Sequence, residues 1–231
     1  MFLDRDIFRR AVLKTLGLFA GSLIVGALFS GLTTPAFAID HPAPAPQTSP
    51  HFTNARPTAA RLDTPLARRW AMTRKRIEAE TAWLTSCSRG ACRDPRAARW
   101  QVAVRLIAAT PATKRPVRVH KLINSRIRYV SDLRADDHWS TPLSTLLRGG
   151  GDCEDHALLK RALLLAAGTP ETDLRLLILR TSRGGGHVAL QVAEHDGLVL
   201  DNRYRRPMRL SALSGDHVTA LATSHGYFSV N

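Results

Sequence analysis

Aromatic residues are scarce in this sequence, at 6% of 231 residues, whereas lysine and arginine outnumber the acidic residues by 33 to 19. The basic residues gather in 67–76 and 93–128 without the interleaved aromatic side chains on which nucleic-acid bases stack. This absence argues against a nucleic acid as a partner. The net charge of +14 instead favours an acidic protein, or it reflects solvated helix faces.

Cysteine is also scarce, with three residues at positions 87, 92 and 153. None of them has a cysteine or histidine partner at the spacing typical of zinc ligands, so a zinc site is not predicted. The sequence also lacks an internal repeat. Its 44% hydrophobic content suits one compact domain with an N-terminal extension.

One long apolar run lies at the N-terminus and has the features of an export signal. A positively charged start at 9–14 precedes the apolar residues 16–32, and Ala-Phe-Ala at 36–38 is a cleavage motif. The stretch FRRAVLK resembles a twin-arginine motif, although Phe8 stands where Ser or Thr is usual. We therefore expect residues 1–38 to be an export signal for the Sec or twin-arginine route. A retained membrane anchor is the alternative.

Export would fix the charge and the redox setting of the mature chain. Removing residues 1–38 takes away four basic and two acidic residues and leaves a net charge of +12. In an oxidising compartment, an odd number of cysteines leaves one free or pairs one with another chain. Cys87 and Cys92 are close enough in sequence to bridge, which leaves Cys153 as the free thiol.

The mature chain divides into a spacer and a domain. Residues 39–62 are rich in Pro, Ala and Thr without periodicity, which predicts a flexible linker. Periodic apolar residues then predict helices, followed by β-rich segments that predict a mostly antiparallel sheet. Together they predict an α+β domain over residues 63–231. The predicted helices are 65–87, 95–110, 115–126 and 154–167, and the predicted strands are 174–181, 187–194 and 198–201.

Cys153 stands at the start of a predicted helix, directly after three glycines. The unpaired N–H groups and the positive end of the helix dipole stabilise a thiolate at such a position. A cysteine nucleophile also needs a base and a group that orients the base. The predicted hairpin brings His187 next to Asp201, so the sequence predicts the triad Cys153, His187 and Asp201, with His156 as the second choice of base. The simpler alternatives are an inert thiol, a strand-edge histidine and a turn-forming aspartate.

Three carboxylates surround this cysteine, namely Asp152, Glu154 and Asp155. Adjacent carboxylates raise the pKa of a thiol, whereas a bound divalent cation reverses the sign of the local field. Carboxylate oxygens are also the ligands that calcium prefers. We therefore predict calcium as a cofactor held by these three residues. The alternative is simple capping, with Asp152 as N-cap and the other acids in the first helical turn.

At these residues the sequence resembles the bacterial transglutaminase-like cysteine peptidases. The resemblance covers residues 65–231 and includes the paired cysteines and Trp100. The combination of GDCED with a later histidine and LDN is specific to this family. The matching stretches are INSRIRYVSD, DHWSTP, GDCEDHALLK, HVAL, LVLDN and YFSVN.

The resemblance implies a papain-like fold in which Cys153 attacks a peptide carbonyl, His187 carries the proton and Asp201 orients His187. It also implies that Asp152, Glu154 and Asp155 correspond to the calcium site. Well-understood family members are calcium-dependent periplasmic proteases that release large surface adhesins. The expected function is therefore periplasmic cleavage of the N-terminal region of an adhesin, which controls biofilm attachment.

The resemblance also implies a protein partner, the periplasmic domain of an inner-membrane cyclic-di-GMP receptor. No stable membrane insertion is expected after signal cleavage. Two alternatives are acyl transfer by an amidase or transglutaminase and a non-catalytic calcium-dependent binding module. Ser144 departs from the family, which often has an acidic residue there, and Trp139 is expected either at the cleft or in the core.

Overall fold

The computed structural model describes residues 63–90, 92–132, 138–194, 197–213 and 215–230. The expected export signal at 1–38 and the expected linker at 39–62 lie outside these ranges. Within them, the structure contains no helix with the length and apolar character needed to cross a membrane.

Two helices of the described chain begin at residues whose side chains cap them. Thr64 accepts a hydrogen bond from the N–H of Ala67 at 3.1 Å, and Asp94 accepts one from the N–H of Arg96 at 2.8 Å. A proline follows each cap at the first helical position, where its missing N–H costs nothing. The helices are α1 Pro65–Arg89, α2 Pro95–Ala108, α3 Arg115–Arg126, α4 Pro142–Arg148 and α5 Cys153–Ala166.

The strands form a mostly antiparallel sheet, as predicted. Its order is β6-β5-β4-β3-β7-β8, and each neighbouring pair is antiparallel. A separate parallel pair, β1 with β2, lies directly before α5. The α+β class is therefore confirmed. The strands are β1 Arg128–Tyr129, β2 Gly150–Gly151, β3 Leu174–Arg180, β4 Gly186–Val192, β5 Leu198–Leu200, β6 Met208–Arg209, β7 His217–Thr223 and β8 Gly226–Ser229.

The central strands are buried on both faces of the sheet. On β3, Leu176 and Ile178 pack into the main core with the helices, whereas Leu177 and Leu179 pack into a smaller cluster with Val199. This double burial explains why β3 is almost continuously apolar rather than alternating. The sheet is therefore a rigid support for residues at its strand ends.

Helix α5 lies at the centre of the domain and packs on β4. Two glycines fix the approach to it. Gly149 ends α4 with a φ of 67°, which L-residues rarely adopt. At Gly151 a Cβ atom would lie 2.5 Å from Oδ2 of Asp155, so a larger residue would displace that carboxylate. The glycine run therefore places Cys153 at one defined position.

Two further expectations concern the helical half. The disulfide between Cys87 and Cys92 is present, with Cα atoms 4.8 Å apart, and Cys153 is free. Trp139 is buried against Trp70, with ring centroids 6.2 Å apart, so it packs in the core. Ser144 lies exposed on α4.

Candidate active site

Cys153 is the first residue of α5, and its side chain is half-buried. Its sulfur donates a hydrogen bond to Oε2 of Glu154 at 3.1 Å. The backbone N–H of Val188, on the adjacent strand β4, also interacts with the sulfur and favours its thiolate form. The thiol therefore lies where α5 meets the strand that begins with Gly186 and His187.

The surroundings of this thiol keep it protonated. Burial raises the pKa of Cys153 far above its ordinary value, and the Glu154 carboxylate raises it further through its charge and its hydrogen bond. These effects outweigh the Val188 N–H and the helix N-terminus, which the sequence predicted to lower the pKa. Among the described contacts, the protonated and less nucleophilic form of Cys153 is therefore favoured.

His187 and Asp201 are brought together by the strand register. Leu190 of β4 pairs with Leu200 of β5, so the start of one strand lies beside the residue that follows the other. Nε2 of His187 is 3.0 Å from Oδ1 of Asp201, and both side chains are buried. An ionised carboxylate only accepts hydrogen bonds, so Nε2 donates and Nδ1 is left to exchange a proton.

Arg203 holds the same carboxylate and was not predicted from the sequence. Its Nη2 lies 2.7 Å from Oδ2 of Asp201, its Nε lies 3.1 Å from the same oxygen, and its backbone N–H donates to Oδ1 at 2.9 Å. Burial alone would raise the pKa of Asp201, but the hydrogen bonds from His187 and Arg203 lower it well below its usual range. These contacts therefore favour the ionised form of Asp201.

A cluster of carboxylates lies beside the thiol. Asp132, Asp152 and Glu154 each offer an oxygen atom, and these atoms lie within 4.8 Å of one another. Because β1 pairs with β2, Arg128 lies beside Gly150 and Tyr129 beside Gly151. Asp132 follows β1 by three residues and so lies close to Asp152 and Glu154. Asp132 was missed by the sequence reasoning, although it ends the INSRIRYVSD stretch that carried the family resemblance.

Asp155 points elsewhere. Its Oδ1 accepts the backbone N–H of Ser140 at 2.8 Å, and its Oδ2 accepts Nη2 of Arg148 at 2.9 Å. Arg148 also binds the hydroxyl of Ser140 at 2.9 Å and the carbonyl of Gly150 at 3.0 Å. The geometry thus ties α4, α5 and the glycine run together through Asp155, and the cluster next to the thiol contains Asp132 in its stead.

The cluster has the chemistry of a site for a hard cation. Asp152 occupies the N-cap position, but its side chain makes no capping hydrogen bond to the described first turn of α5. Its Oδ1 is buried and has no hydrogen-bond partner among the described residues. Burial and the Asp155 carboxylate raise the pKa of Asp152 to about 6. An unpartnered carboxylate oxygen on a member of this cluster fits an oxygen-ligated cation such as calcium.

Buried basic groups lie behind the triad candidates. Lys160 is fully buried on α5, and its Nζ donates to the carbonyl of Leu200 at 3.1 Å. Burial lowers the pKa of Lys160 to about 7, although the Asp201 carboxylate raises it in part. His156, the second choice of base, is also buried, and burial and Lys160 lower its pKa to about 4. Neither group faces the Cys153 sulfur in the described contacts, and His187 alone joins the strand beside it to Asp201.

Comparisons with known proteins identify the fold and the family of this chain. A search of the curated proteins finds no match. Among solved structures, the calcium-bound form of Legionella pneumophila LapG matches with a TM-score of 0.53 at 22% identity, over 67% of this chain and 87% of that chain. An EGTA-treated form of the same Legionella protein matches with the same score and identity, over 67% and 86%. At this identity the likeness establishes the fold.

The family model described as bacterial transglutaminase-like cysteine proteinase matches residues 73–219. The matched range contains the disulfide, the acidic cluster, Cys153 and the His187–Asp201 pair. The family resemblance noted in the sequence is thereby confirmed. The chain belongs to the bacterial transglutaminase-like cysteine proteinases and is a cysteine peptidase.

Proposed function

We propose that this cysteine peptidase is a calcium-dependent endopeptidase in which Cys153 is the nucleophile, His187 carries the proton and Asp201 orients His187. The observation that carries the proposal is the 3.0 Å contact between Nε2 of His187 and Oδ1 of Asp201. It lies at the start of the strand whose next residue, Val188, faces the Cys153 sulfur. A thiol, a base and a carboxylate in this order are the groups that covalent hydrolysis of a peptide bond requires.

The path of the proton follows from Nδ1 of His187, the ring nitrogen that is not bonded to Asp201. His187 takes the thiol proton at Nδ1, and the Cys153 sulfur attacks the peptide carbonyl carbon. The imidazolium then gives its proton to the amide nitrogen as the C–N bond breaks, which leaves a thioester on Cys153. Water attacks the thioester, His187 accepts the water proton, and the thiolate leaves. Asp201 stays ionised throughout and stabilises the imidazolium.

The proposed cation ligands are Asp132, Asp152 and Glu154. A bound divalent cation supplies positive charge beside the thiol and so reverses the effect of these carboxylates on its pKa. Asp152 and Glu154 flank Cys153 in the chain, so fixing their oxygens also fixes the first turn of α5. The calcium-bound and EGTA-treated forms of the Legionella protein support calcium as the cation.

The proposed substrate is the N-terminal region of a large exported adhesin, cleaved in the periplasm. Residues 1–38 would direct export and be removed on the way. The proposed regulatory partner is the periplasmic domain of an inner-membrane cyclic-di-GMP receptor. The family resemblance supports both, and a mature charge of +12 suits an acidic surface on either protein.

The test is cleavage of a purified N-terminal adhesin fragment by calcium-loaded protein. We expect two discrete products with the wild type, and intact fragment with Cys153→Ala or after chelation. A second reaction with an added primary amine separates hydrolysis from acyl transfer, since only acyl transfer places the amine in the product. Cleavage that persists in Cys153→Ala would contradict the proposal.

A further inference from the structure

Arg203 lies at the centre of a hydrogen-bond chain that begins at the His187 strand and returns to it. Its Nη2 bridges Oδ2 of Asp201 at 2.7 Å and Oδ2 of Asp216 at 2.6 Å. Asp216 in turn accepts the backbone N–H of Ser182 at 3.2 Å, in the loop before β4. The guanidinium therefore ties the residue after β5, the residue before β7 and the loop before His187 into one unit.

The two oxygens of the Asp201 carboxylate are used differently. Oδ1 accepts Nε2 of His187 at 3.0 Å and the backbone N–H of Arg203 at 2.9 Å. Oδ2 accepts Nη2 of the guanidinium at 2.7 Å, and Nε is shared between the two oxygens, 3.1 Å from Oδ2 and 3.2 Å from Oδ1. A planar fork of this kind fixes a carboxylate more rigidly than a single donor does. Rotation of the carboxylate away from His187 would break the contacts with Arg203.

The same contacts change the charge that His187 experiences. An isolated Asp201 carboxylate would stabilise the imidazolium strongly and would hold the proton that the leaving amine must receive. The Arg203 charge offsets part of that attraction. Asp216 offsets part of the Arg203 charge in return, and it also interacts electrostatically with His187. Three alternating charges, on Asp201, Arg203 and Asp216, therefore lie beyond the His187 ring.

We propose that Arg203 is a positioning residue for the peptidase reaction, which fixes the Asp201 carboxylate against His187 and moderates the basicity of that imidazole. The proposal rests on the proposed function of His187 as proton carrier. It extends that function by naming a residue outside the triad, Arg203, that affects the proton affinity of His187. Arg203 touches no reacting atom and acts through Asp201.

Other charged groups around His187 must stay constant in the test. They come from the elements packed against β4 and from the strand ends beside it. Of these charged groups, only Cys153 and Asp216 are substituted in the variants below. The groups are Cys153, Glu154 and Lys160 on α5, Arg180 at the end of β3, Asp201 after β5, and Asp216 and His217 at the start of β7.

The experiment is an NMR titration of the His187 ring in calcium-loaded protein carrying Cys153→Ala, with the signal assigned by comparison with His187→Gln. Arg203→Met should raise the titration midpoint of His187 by about one pH unit, because a positive charge is removed near the imidazolium. Arg203→Lys should keep the midpoint, because it keeps the charge. The matched control Arg205→Gln removes a neighbouring exposed charge and should leave the midpoint unchanged.

Steady-state cleavage kinetics of variants that keep Cys153 then test whether Arg203 orients Asp201. Arg203→Lys loses the fork, so its kcat should fall about tenfold with little change in KM. If Arg203→Met does not fold, Asp216→Asn replaces it in the titration. Asp216→Asn should lower the His187 midpoint by about a few tenths of a pH unit, because it removes a negative charge near the imidazolium. An unchanged His187 midpoint in Arg203→Met, or in Asp216→Asn where it alone folds, would overturn the proposal. The titration needs no turnover, so failure of the proposed protease activity would be seen separately, in the cleavage assay.

Discussion

The two halves of the candidate site are stabilised in opposite ways. Around His187, the chain supplies its own counter-charges, because Asp201 is held by Arg203 at 2.7 Å and Arg203 by Asp216 at 2.6 Å. Around Cys153, the described contacts include a like charge, with Glu154 3.1 Å from the sulfur, and Oδ1 of Asp152 has no hydrogen-bond partner among the described residues. In the proposed mechanism, the base is therefore complete in the polypeptide, whereas the nucleophile depends on an added cation.

Under the proposed function, this contrast indicates where regulation can act. The His187 half needs no added charge, whereas a cation bound beside Cys153 would change the reactivity of the thiol. The predictions below test the two halves separately.

The largest effect is expected when either half loses its reacting group. Cys153→Ala and His187→Ala should each lower kcat/KM on the order of 10⁴-fold or more, because neither group acts without the other. The double variant should be no worse than either single one. A steady-state cleavage assay measures this, and additive losses in the double variant would contradict a shared step.

The next effect concerns the thiol half. Asp132→Asn should lower the calcium affinity by about 10-fold or more and activity with it, since it removes one of three clustered carboxylates. Isothermal titration with calcium measures the affinity. Asp155→Asn is the matched control, and it should cost about 2 kcal/mol of unfolding free energy by weakening the Ser140 and Arg148 contacts while calcium affinity changes less. Equal affinity losses in both variants would return Asp155 to the ligand set.

A smaller effect is expected from substitution of Lys160, which is buried behind the His187–Asp201 pair. Lys160→Met keeps the volume of a fully buried side chain but removes its bond to the Leu200 carbonyl, next to Asp201. We expect activity to fall about tenfold, while the free energy of unfolding is unchanged or rises because a buried charge is replaced by an apolar group. Urea unfolding and kcat measured together decide this. A loss of stability with full activity in the folded fraction would assign Lys160 to the fold alone.

The smallest effect is on acid stability. The pKa of Asp201 is lowered on folding despite its burial, so its contribution to stability is present above the unfolded value and is lost as pH falls through the lower folded value. Below about pH 4, the unfolding free energy of the wild type should therefore decline more steeply than that of Asp201→Asn. Denaturant titrations at several acidic pH values measure the slopes. Parallel slopes would mean that the Arg203 and His187 contacts do not stabilise the ionised form.

Local sequence signals predicted the elements that carry the site. Apolar periodicity marked α1, α2, α3 and α5 to within a few residues. The hairpin argument placed His187 near Asp201 correctly, because strand register follows from the turn and the apolar pattern. The short helix α4 and five strands, namely β1, β2, β6, β7 and β8, were missed. Of these, β7 inserts beside β3 through a long-range pairing that sequence spacing does not encode.

The charged partners were the less predictable part. Arg203 is two residues from Asp201, but only the turn after β5 folds its guanidinium back onto the carboxylate. Asp132 lies 20 positions before Asp152 and reaches it through the pairing of β1 with β2. Asp152 and Glu154 are adjacent to Cys153 in the sequence, but adjacency could not reveal that Asp155 on the same turn binds Ser140 and Arg148. Which carboxylates share a space is decided by tertiary contacts.

The central claim is that the Cys153 thiol becomes reactive only when a cation joins the acidic cluster beside it. The direct measurement is the rate of iodoacetamide labelling of Cys153 against pH, with calcium and with a chelator, in the wild type and in His187→Ala. We predict a labelling midpoint below the ~8.5 of an ordinary thiol with calcium, a higher midpoint with the chelator, and loss of the low midpoint in His187→Ala. A midpoint that is the same with calcium and with chelator would contradict the claim.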